Sequence, residues 1–242
     1  MKKILGSIKS NLLTVSILFA AVILFAACNK NDNDTPDSND FAGILAFNLS
    51  PDKPGVGFAI EAASFTNQPL AFTSYTGGYQ PVYPGSRTIS AYDFYAGTTI
   101  ASDSRNFESG KYYSAFLVGY NGNYKTIITD DNADSLTTPD GNAYVRYINA
   151  IPDSSNPTVK IAVSGTDVIN EQAAFGNVSS FKAIIPGNAN VNISVSNGGT
   201  INSERTISTE ANKIYTILLA GIPASNGEDS VQIRFIQNGT LQ

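Results

Sequence analysis

Residues 143–169 read AYVRYINAIPDSSNPTVKIAVSGTDVI, and this stretch contains the pattern that decides the fold. From Val159 to Val163 apolar residues take alternate positions, and similar alternation runs from Val191 to Val195 and from Val231 to Phe235. A period of two is typical of β-strands with one buried and one solvated face. Gly, Pro and Asn turns separate these segments, and no stretch shows a convincing helical period. The sequence therefore predicts an all-β protein.

The motifs of this stretch have counterparts earlier in the chain. Pro51-Asp52 recurs as Pro152-Asp153, and Pro84-Gly85 recurs as Pro186-Gly187, at offsets of 101 and 102 residues. Two further motif pairs keep nearly the same offset. Ordered matches at a nearly constant offset indicate an internal repeat.

The repeat predicts two homologous domains, at residues 42–130 and 143–240, joined by an acidic, turn-rich linker at residues 131–142. We count seven or eight predicted strands in each unit. Short strands of this number, separated by turn residues in a unit of this length, favour two tandem immunoglobulin-like β-sandwich domains. The chain has one cysteine and no tryptophan, so it lacks the Cys–Trp–Cys core of antibody domains.

The second unit continues with AAFGNVSSFKAIIPGNANVNISV and NKIYTILLAGI. With the opening stretch, these segments resemble the bacterial domain of unknown function 4397 family, and the first unit resembles it more loosely. The resemblance implies an extracytoplasmic immunoglobulin-like sandwich, and it brings no catalytic residues because the family has no established activity. The matching residues are Asp153, Gly165, Phe175, Gly176, Phe181, Pro186, Gly187, Tyr215 and Gly221.

Composition excludes several classes of function. The chain has no histidine and a single cysteine, which excludes thiolate–imidazole catalysis and ordinary zinc sites. The net charge is −5 for the whole chain, and residues 1–27 contain three lysines and no acids. Beyond them no Lys/Arg cluster remains, so we expect no nucleic-acid partner. We predict no catalytic residues, no cofactor and no metal.

The N-terminal residues carry the features of a secretory signal peptide. Lys2, Lys3 and Lys9 precede an apolar run of 16 residues from Leu12 to Ala27, whereas a bilayer-spanning helix needs about 20. A positive start, a short apolar core and small residues at the end predict a signal peptide at residues 1–27. The alternative is an uncleaved membrane anchor.

The single cysteine follows this apolar run. Phe25-Ala-Ala-Cys28 resembles the lipobox of bacterial lipoproteins, with Phe in place of the usual Leu. The resemblance implies cleavage before Cys28 and acylation of its sulfur and new amino group, and two or more acyl chains anchor a protein stably. We expect residues 28–41 to form the lipidated cysteine and a flexible acidic tether. The expected location is the outer membrane, on its outer face.

Two sets of carboxylates are candidates for functional sites: a possible calcium-binding loop and the repeated Pro-Asp pairs. Asp130 to Asp134 offers oxygen ligands at alternate positions, as a calcium loop does, but Ser135 stands where such a loop needs Gly and Gly141 where it needs Glu. We favour a solvated linker. The repeated Pro-Asp pairs are interpreted as turns, because Pro fixes φ and Asp accepts local backbone hydrogen bonds.

The alignment of the two repeats predicts which tyrosines are packed in the interior. A tyrosine that aligns with an apolar residue of the other repeat is expected to be packed. The aligned pairs are Tyr79 with Phe181, Tyr113 with Tyr215, and Tyr83 with Ile185.

A different set of aromatic residues is predicted to face outward. Tyr92 and Phe94 align with Ser194 and Ser196, which occupy the polar phase of a predicted strand. With Tyr95 they would form an apolar surface patch, and such patches mark contact with a ligand or partner. The alternatives are a slipped register or packing of this face on the second domain.

These observations favour a non-enzymatic, lipid-anchored envelope protein that serves as a binding, adhesion or structural module. Its expected partners are the membrane, through the N-terminal lipid, and a surface protein or glycan. The alternative function is an accessory glycan-binding surface lipoprotein that uses the aromatic face of the first domain. A hydrolase with a carboxylate pair is a third, less favoured class.

Overall fold

The computed structural model describes residues 41–136 and 141–241. This part of the chain contains sixteen β-strands, two short 3₁₀ turns and no α-helix, so the all-β prediction is confirmed. No described helix is long and apolar enough to cross a membrane. The predicted signal peptide, Cys28 and nearly all of the tether lie outside the described residues.

Each repeat contributes eight strands. Those of the first are β1 (Ala42–Asn48), β2 (Val56–Ile60), β3 (Ala63–Ser64), β4 (Gln80–Val82), β5 (Gly85–Asp93), β6 (Thr99–Phe107), β7 (Tyr112–Tyr120) and β8 (Asn123–Asp130). Those of the second are β9 (Ala143–Asn149), β10 (Thr158–Val163), β11 (Thr166–Gln172), β12 (Lys182–Ile184), β13 (Gly187–Ser196), β14 (Asn202–Thr209), β15 (Lys213–Ala220) and β16 (Gln232–Thr240).

The strands form four sheets of four strands each. In the first sandwich the orders are β4-β1-β7-β8 and β3-β2-β5-β6, and in the second they are β12-β9-β15-β16 and β11-β10-β13-β14. β1 pairs with β7, and β9 with β15, in parallel. All other pairings between these strands are antiparallel. The identical topology of both halves confirms two tandem immunoglobulin-like sandwiches.

Each sandwich encloses its own apolar core, built from the inward phase of its strands. Ile44, Phe58 and Leu117 lie in the first core, and Ile161 and Ile193 lie in the second. Tyr113 and Tyr215 are also buried in these cores, as their alignment predicted.

A third apolar cluster joins the two sandwiches. It contains residues from the same positions of both repeats: Phe47 and Ile148, Leu49 and Ala150, Phe116 and Leu218, Val118 and Ala220. The sheets that hold β1 and β9 are therefore covered on both faces, and we call them the inner sheets. Burial on both faces explains why β1 and β9 are continuously buried rather than alternating.

A buried ion pair lies within this contact. Arg146 on β9 is 1% exposed and Asp131 is 2% exposed, and Nη1 of the arginine lies 2.7 Å from Oδ1 of the aspartate. Arg146 also donates to Ser114 Oγ at 2.8 Å and to Thr216 Oγ1 at 3.0 Å. Its guanidinium carbon lies 4.4 Å from the ring centroid of Phe181. The charge is thus fully paired, as a buried charge must be.

Tyr79 completes this polar cluster from the first sandwich. Its hydroxyl donates to Asp131 Oδ2 at 2.6 Å, and the same oxygen accepts from Ser114 Oγ at 2.9 Å. Burial, followed by the negative charge of Asp131, raises the pKa of Tyr79 above its ordinary value. Tyr79 was predicted to be in a core, and it packs instead against the cluster between the two sandwiches.

The prediction that Tyr83, aligned with Ile185, is packed is wrong. Tyr83 is 66% exposed and Ile185 is 71% exposed. The preceding residues, Val82 and Ile184, end β4 and β12 with their side chains in the cores. Because side chains alternate along a strand, the next residue points outward.

The central strands of both inner sheets, β1, β7, β9 and β15, begin at the same end of the molecule. Tyr112 at the start of β7 and Ile214 at the start of β15 line one cleft. Pro51 after β1 and Gln232 after β15 line another. We call the end where β1, β7, β9 and β15 begin the base, and the opposite end the crown.

Candidate functional site

The predicted aromatic residues come together at the crown of the first sandwich. Tyr92 lies at the end of β5, where Ile89 and Ala91 point into the core and Tyr92 lies on the opposite face. Phe94 and Tyr95 follow in the hairpin loop between β5 and β6. We call Tyr92, Phe94 and Tyr95 the aromatic strip.

Two glycines form the floor of the strip. Gly57 on β2 is the register partner of Tyr92, and a Cβ atom at Gly57 would overlap the Tyr92 ring. A Cβ atom at Gly55 would lie 2.5 Å from the ring of Tyr95. Glycine at both positions therefore allows the two rings to lie against the backbone of β2.

The three rings contact one another in sequence. Tyr92 and Phe94 are nearly parallel, with ring centroids 6.3 Å apart and an angle of 15° between their planes. Phe94 meets Tyr95 edge-on at 6.0 Å and 81°. Tyr95 is 74% exposed, while Tyr92 and Phe94 are half-buried. The strip is thus a small aromatic surface that is open to solvent.

Hydrogen bonds hold the strip in place. Ser64 Oγ donates to the carbonyl oxygen of Thr66 at 2.8 Å, so the Tyr92 hydroxyl donates to Ser64 Oγ, also at 2.8 Å. Asp93 Oδ1 accepts from the backbone N–H groups of Tyr95 at 3.0 Å and Ala96 at 2.9 Å. This local pattern is typical of Asp in turns. The rings are therefore presented by an ordered hairpin.

The three rings of the strip are uncharged, and one carboxylate lies beside them. Asp93, the charged residue in its loop, uses Oδ1 within the turn, and a serine hydroxyl borders the Tyr92 ring. Flat apolar rings with hydroxyl groups at their edge suit a ligand that has both an apolar face and polar substituents. At the aligned positions the second sandwich has Ser194 and Ser196, so it lacks the Tyr92–Phe94 pair.

Two of the carboxylates that were considered for calcium, Asp130 and Asp131, are used within the protein. Both oxygens of Asp131 are occupied, by Arg146 on one side and by Tyr79 and Ser114 on the other. Asp130 Oδ1 accepts from the backbone N–H of Asn132 at 2.7 Å. Within residues 41–136 and 141–241, no three metal-ligating side chains form a group that could hold an ion.

The repeated Pro-Asp aspartates make local or loop contacts. Asp153 Oδ1 accepts from the backbone N–H of Ser155 at 2.6 Å. Asp52 Oδ2 accepts from the backbone N–H of Asn121 at 3.0 Å and also binds the Tyr124 hydroxyl. The Asp153 contact is the local turn bond that was predicted, whereas Asp52 instead joins its loop to the β7–β8 hairpin.

Sequence reasoning missed the buried Arg146–Asp131 pair. One signal was available, because Arg146 interrupts the apolar strand AYVRYIN at the position where the first repeat has Leu45 in AGILAFN. A charged residue inside such a strand indicates a buried partner. Its partner Asp131 lies 15 residues earlier, in an acidic linker where nothing in the sequence distinguishes a buried aspartate from a solvated one.

Comparison with solved structures finds β-rich binding and surface proteins. A carbohydrate-binding module of family CBM26 from Eubacterium rectale Amy13K, solved with maltoheptaose, aligns at 9% identity and a TM-score of 0.26, covering 79% of this chain and 96% of that one. The fimbrial anchor protein Mfa2 from Porphyromonas gingivalis aligns at 10% identity and a TM-score of 0.24, covering 83% and 98%. At these TM-scores neither likeness carries an argument about function.

No curated protein matches the chain. The family described as Domain of unknown function (DUF4397) matches residues 42–156 and again residues 143–240. These two matches include the strands of both sandwiches and most of the chain. The chain therefore belongs to the DUF4397 family and carries two copies of its domain.

Proposed function

We propose that this protein is a lipid-anchored cell-envelope protein that acts as a non-enzymatic binding module, with Cys28 as the lipid attachment site. We assign residues 1–27 to a signal peptide and 28–41 to the lipidated cysteine and tether. The domains are 42–130 and 143–240, with a linker at 131–142. The proposed location is the outer membrane, facing outward.

The observation that carries this proposal is the aromatic strip at the crown. Val82 pairs with Ala42 at the base, and β5 then runs from Gly85 to Asp93 at the crown. Nine strand residues span about 30 Å. The chain towards Cys28 leaves from the base, so a lipid there would leave the strip facing away from the membrane. Exposed aromatic surfaces of this kind are typical of contact sites.

Anchoring is tested by replacing the cysteine. Cys28→Ser should abolish acylation, because the lipid is attached through this sulfur, and the variant should leave the membrane fraction. Metabolic labelling with a fatty-acid analogue and membrane fractionation measure both effects. A variant that partitions into membranes like the wild type would contradict lipid anchoring through Cys28.

The favoured alternative is that the strip binds a neutral glycan. The near-parallel rings of Tyr92 and Phe94 offer an apolar surface on which a sugar ring can stack. The carboxylate of Asp93 beside the rings and the acidic charge of the chain disfavour acidic glycans, since like charges repel.

A glycan array tests this alternative. The acylated protein in detergent should bind a neutral glycan, and Tyr92→Ala should weaken binding about tenfold or more, which corresponds to about 1.4 kcal/mol. Tyr120→Ala is the matched control, because Tyr120 is another exposed tyrosine, 38% exposed, outside the strip. Binding that survives Tyr92→Ala would exclude the strip, and a blank array would favour a protein partner or scaffold role.

A further inference from the structure

The base carries exposed apolar side chains at the same position of both repeats. Tyr83 is 66% exposed and Ile185 is 71% exposed, and each directly precedes a Pro-Gly pair. Val82 pairs with Ala42 and Ile184 pairs with Ala143, so both side chains follow strands that end at the base. The ring of Phe41 lies 4.9 Å from that of Tyr83 and enlarges this surface.

A single exposed apolar residue is ordinary and needs no explanation. Here, however, both repeats place an exposed apolar side chain at the same end of the molecule. Each of these positions points outward, so a polar side chain would fit there equally well. Tyr112, at the start of β7, is a third large apolar residue exposed at the base, at 44%. We call Phe41, Tyr83, Tyr112 and Ile185 the basal residues.

The covalent chain links this surface to the proposed lipid. Twelve residues separate Cys28 from Phe41, and even a fully extended chain of this length spans only about 45 Å. Phe41 is itself a basal residue. A bilayer that holds the lipid of Cys28 therefore lies within reach of the base, which is the end where the chain towards Cys28 leaves the sandwich.

We propose that the basal residues contact the bilayer interface, so that the two sandwiches stand on the membrane with the crown outward. This inference rests on the proposed lipid anchor. Tyrosine suits the interface because its ring enters the apolar region while its hydroxyl remains hydrated. Ile185 gains by leaving water, at about 25 cal/mol per Å² of buried apolar surface.

The charges near Tyr83 are of both signs, with a small excess of positive charge. Arg87 donates to the carbonyl oxygens of Tyr83 and Pro84, and Arg105 is its register partner on β6. Glu108, whose backbone N–H donates to the hydroxyl of Tyr113, offsets part of this positive charge. We expect salt to weaken only the part of the contact that this positive excess contributes, because the apolar part is not screened.

Tryptophan fluorescence tests the contact on the whole acylated protein. The chain has no tryptophan, so Tyr83→Trp and, separately, Ile185→Trp each introduce a unique probe. In vesicles of phosphatidylethanolamine and phosphatidylglycerol, both should show blue-shifted emission and quenching by brominated lipids. Tyr95→Trp at the crown is the matched control, because Tyr95 is 74% exposed, and it should show neither effect.

Vesicle flotation in the same samples separates the two proposals. Protein that floats while Tyr83→Trp and Ile185→Trp emit as in water would overturn the basal contact and leave the anchor intact. Protein that does not float would overturn both. A blue shift that appears without vesicles and grows with protein concentration would assign the surface to self-association and would also overturn the membrane contact.

Discussion

At the scale of single residues, Arg146 and Asp131 form a buried ion pair where the two sandwiches meet. Their side chains are almost completely buried and satisfy each other within a set of hydroxyl groups. Such a pair contributes little net stability compared with apolar packing, because both charges lose their hydration. The pair instead favours one arrangement of the two sandwiches, since any other arrangement leaves a buried charge unpaired.

Removing one partner should therefore be costly. Arg146→Leu, which introduces the residue found at the aligned position 45, should lower the free energy of unfolding by about 3–5 kcal/mol because Asp131 is left buried and unpaired. Urea unfolding followed by circular dichroism measures this. The double variant with Asp131→Asn should recover part of the loss.

The control is the exposed ion pair between Lys160 and Asp167, whose charged atoms are 3.0 Å apart. Lys160→Met should change the free energy of unfolding by about 1 kcal/mol or less, because solvent screens this pair. An Arg146→Leu effect as small as that of Lys160→Met would contradict the role given to the buried pair.

At the scale of strands, β2 and β5 together determine the shape of the aromatic strip. Gly57→Ala should displace the Tyr92 ring and lower the free energy of unfolding by about 1–3 kcal/mol through overpacking. Gly239→Ala is the matched control on β16, because no atom lies within 4 Å of its added Cβ. Thermal unfolding measures both changes.

A second substitution distinguishes ring displacement from a general backbone effect. Tyr92→Ser in the Gly57→Ala background removes the overlapping ring and should restore most of the lost stability. If the double variant is less stable than Gly57→Ala alone, the overlap between this glycine and this ring is not the cause.

The strands with one solvated face were predictable from sequence, whereas those of the inner sheets were less so. Val159, Ile161 and Val163 point into one core, and Lys160 between the first two is exposed. Phe47 and Ile148 belong to strands buried on both faces, and nothing local tells which sheet covers their second face. The outward phase of Tyr92 on β5 agrees with its alignment to Ser194. Phe94 lies beyond β5 although its aligned Ser196 lies within β13, and the glycine floor depends on the pairing of β2 with β5.

At the scale of the whole molecule, the two sandwiches should unfold together. The cluster of Phe47, Phe116, Ile148 and Leu218 belongs to both, so unfolding one exposes an apolar face of the other. Calorimetry should give one transition whose calorimetric and van't Hoff enthalpies agree. Two separate transitions in the wild type would contradict this coupling.

Leu218→Ala tests the coupling directly. It should cost about 2–5 kcal/mol and lower the midpoint of the single transition, because it opens a cavity between the sandwiches. Ile185→Ala is the control, since that side chain is 71% exposed in water and its removal should change stability by about 0.5 kcal/mol or less.

The use of equivalent positions by both repeats in the central cluster has a consequence for origin. A surface that packs against its own copy is self-complementary, which is the property of a two-fold homodimer interface. A gene that encoded one such domain would give a protein that dimerises through this face. Duplication and fusion would then convert the dimer into one chain. The halves have since diverged at the aligned positions 45 and 146, where the first repeat has Leu45 and the second has Arg146.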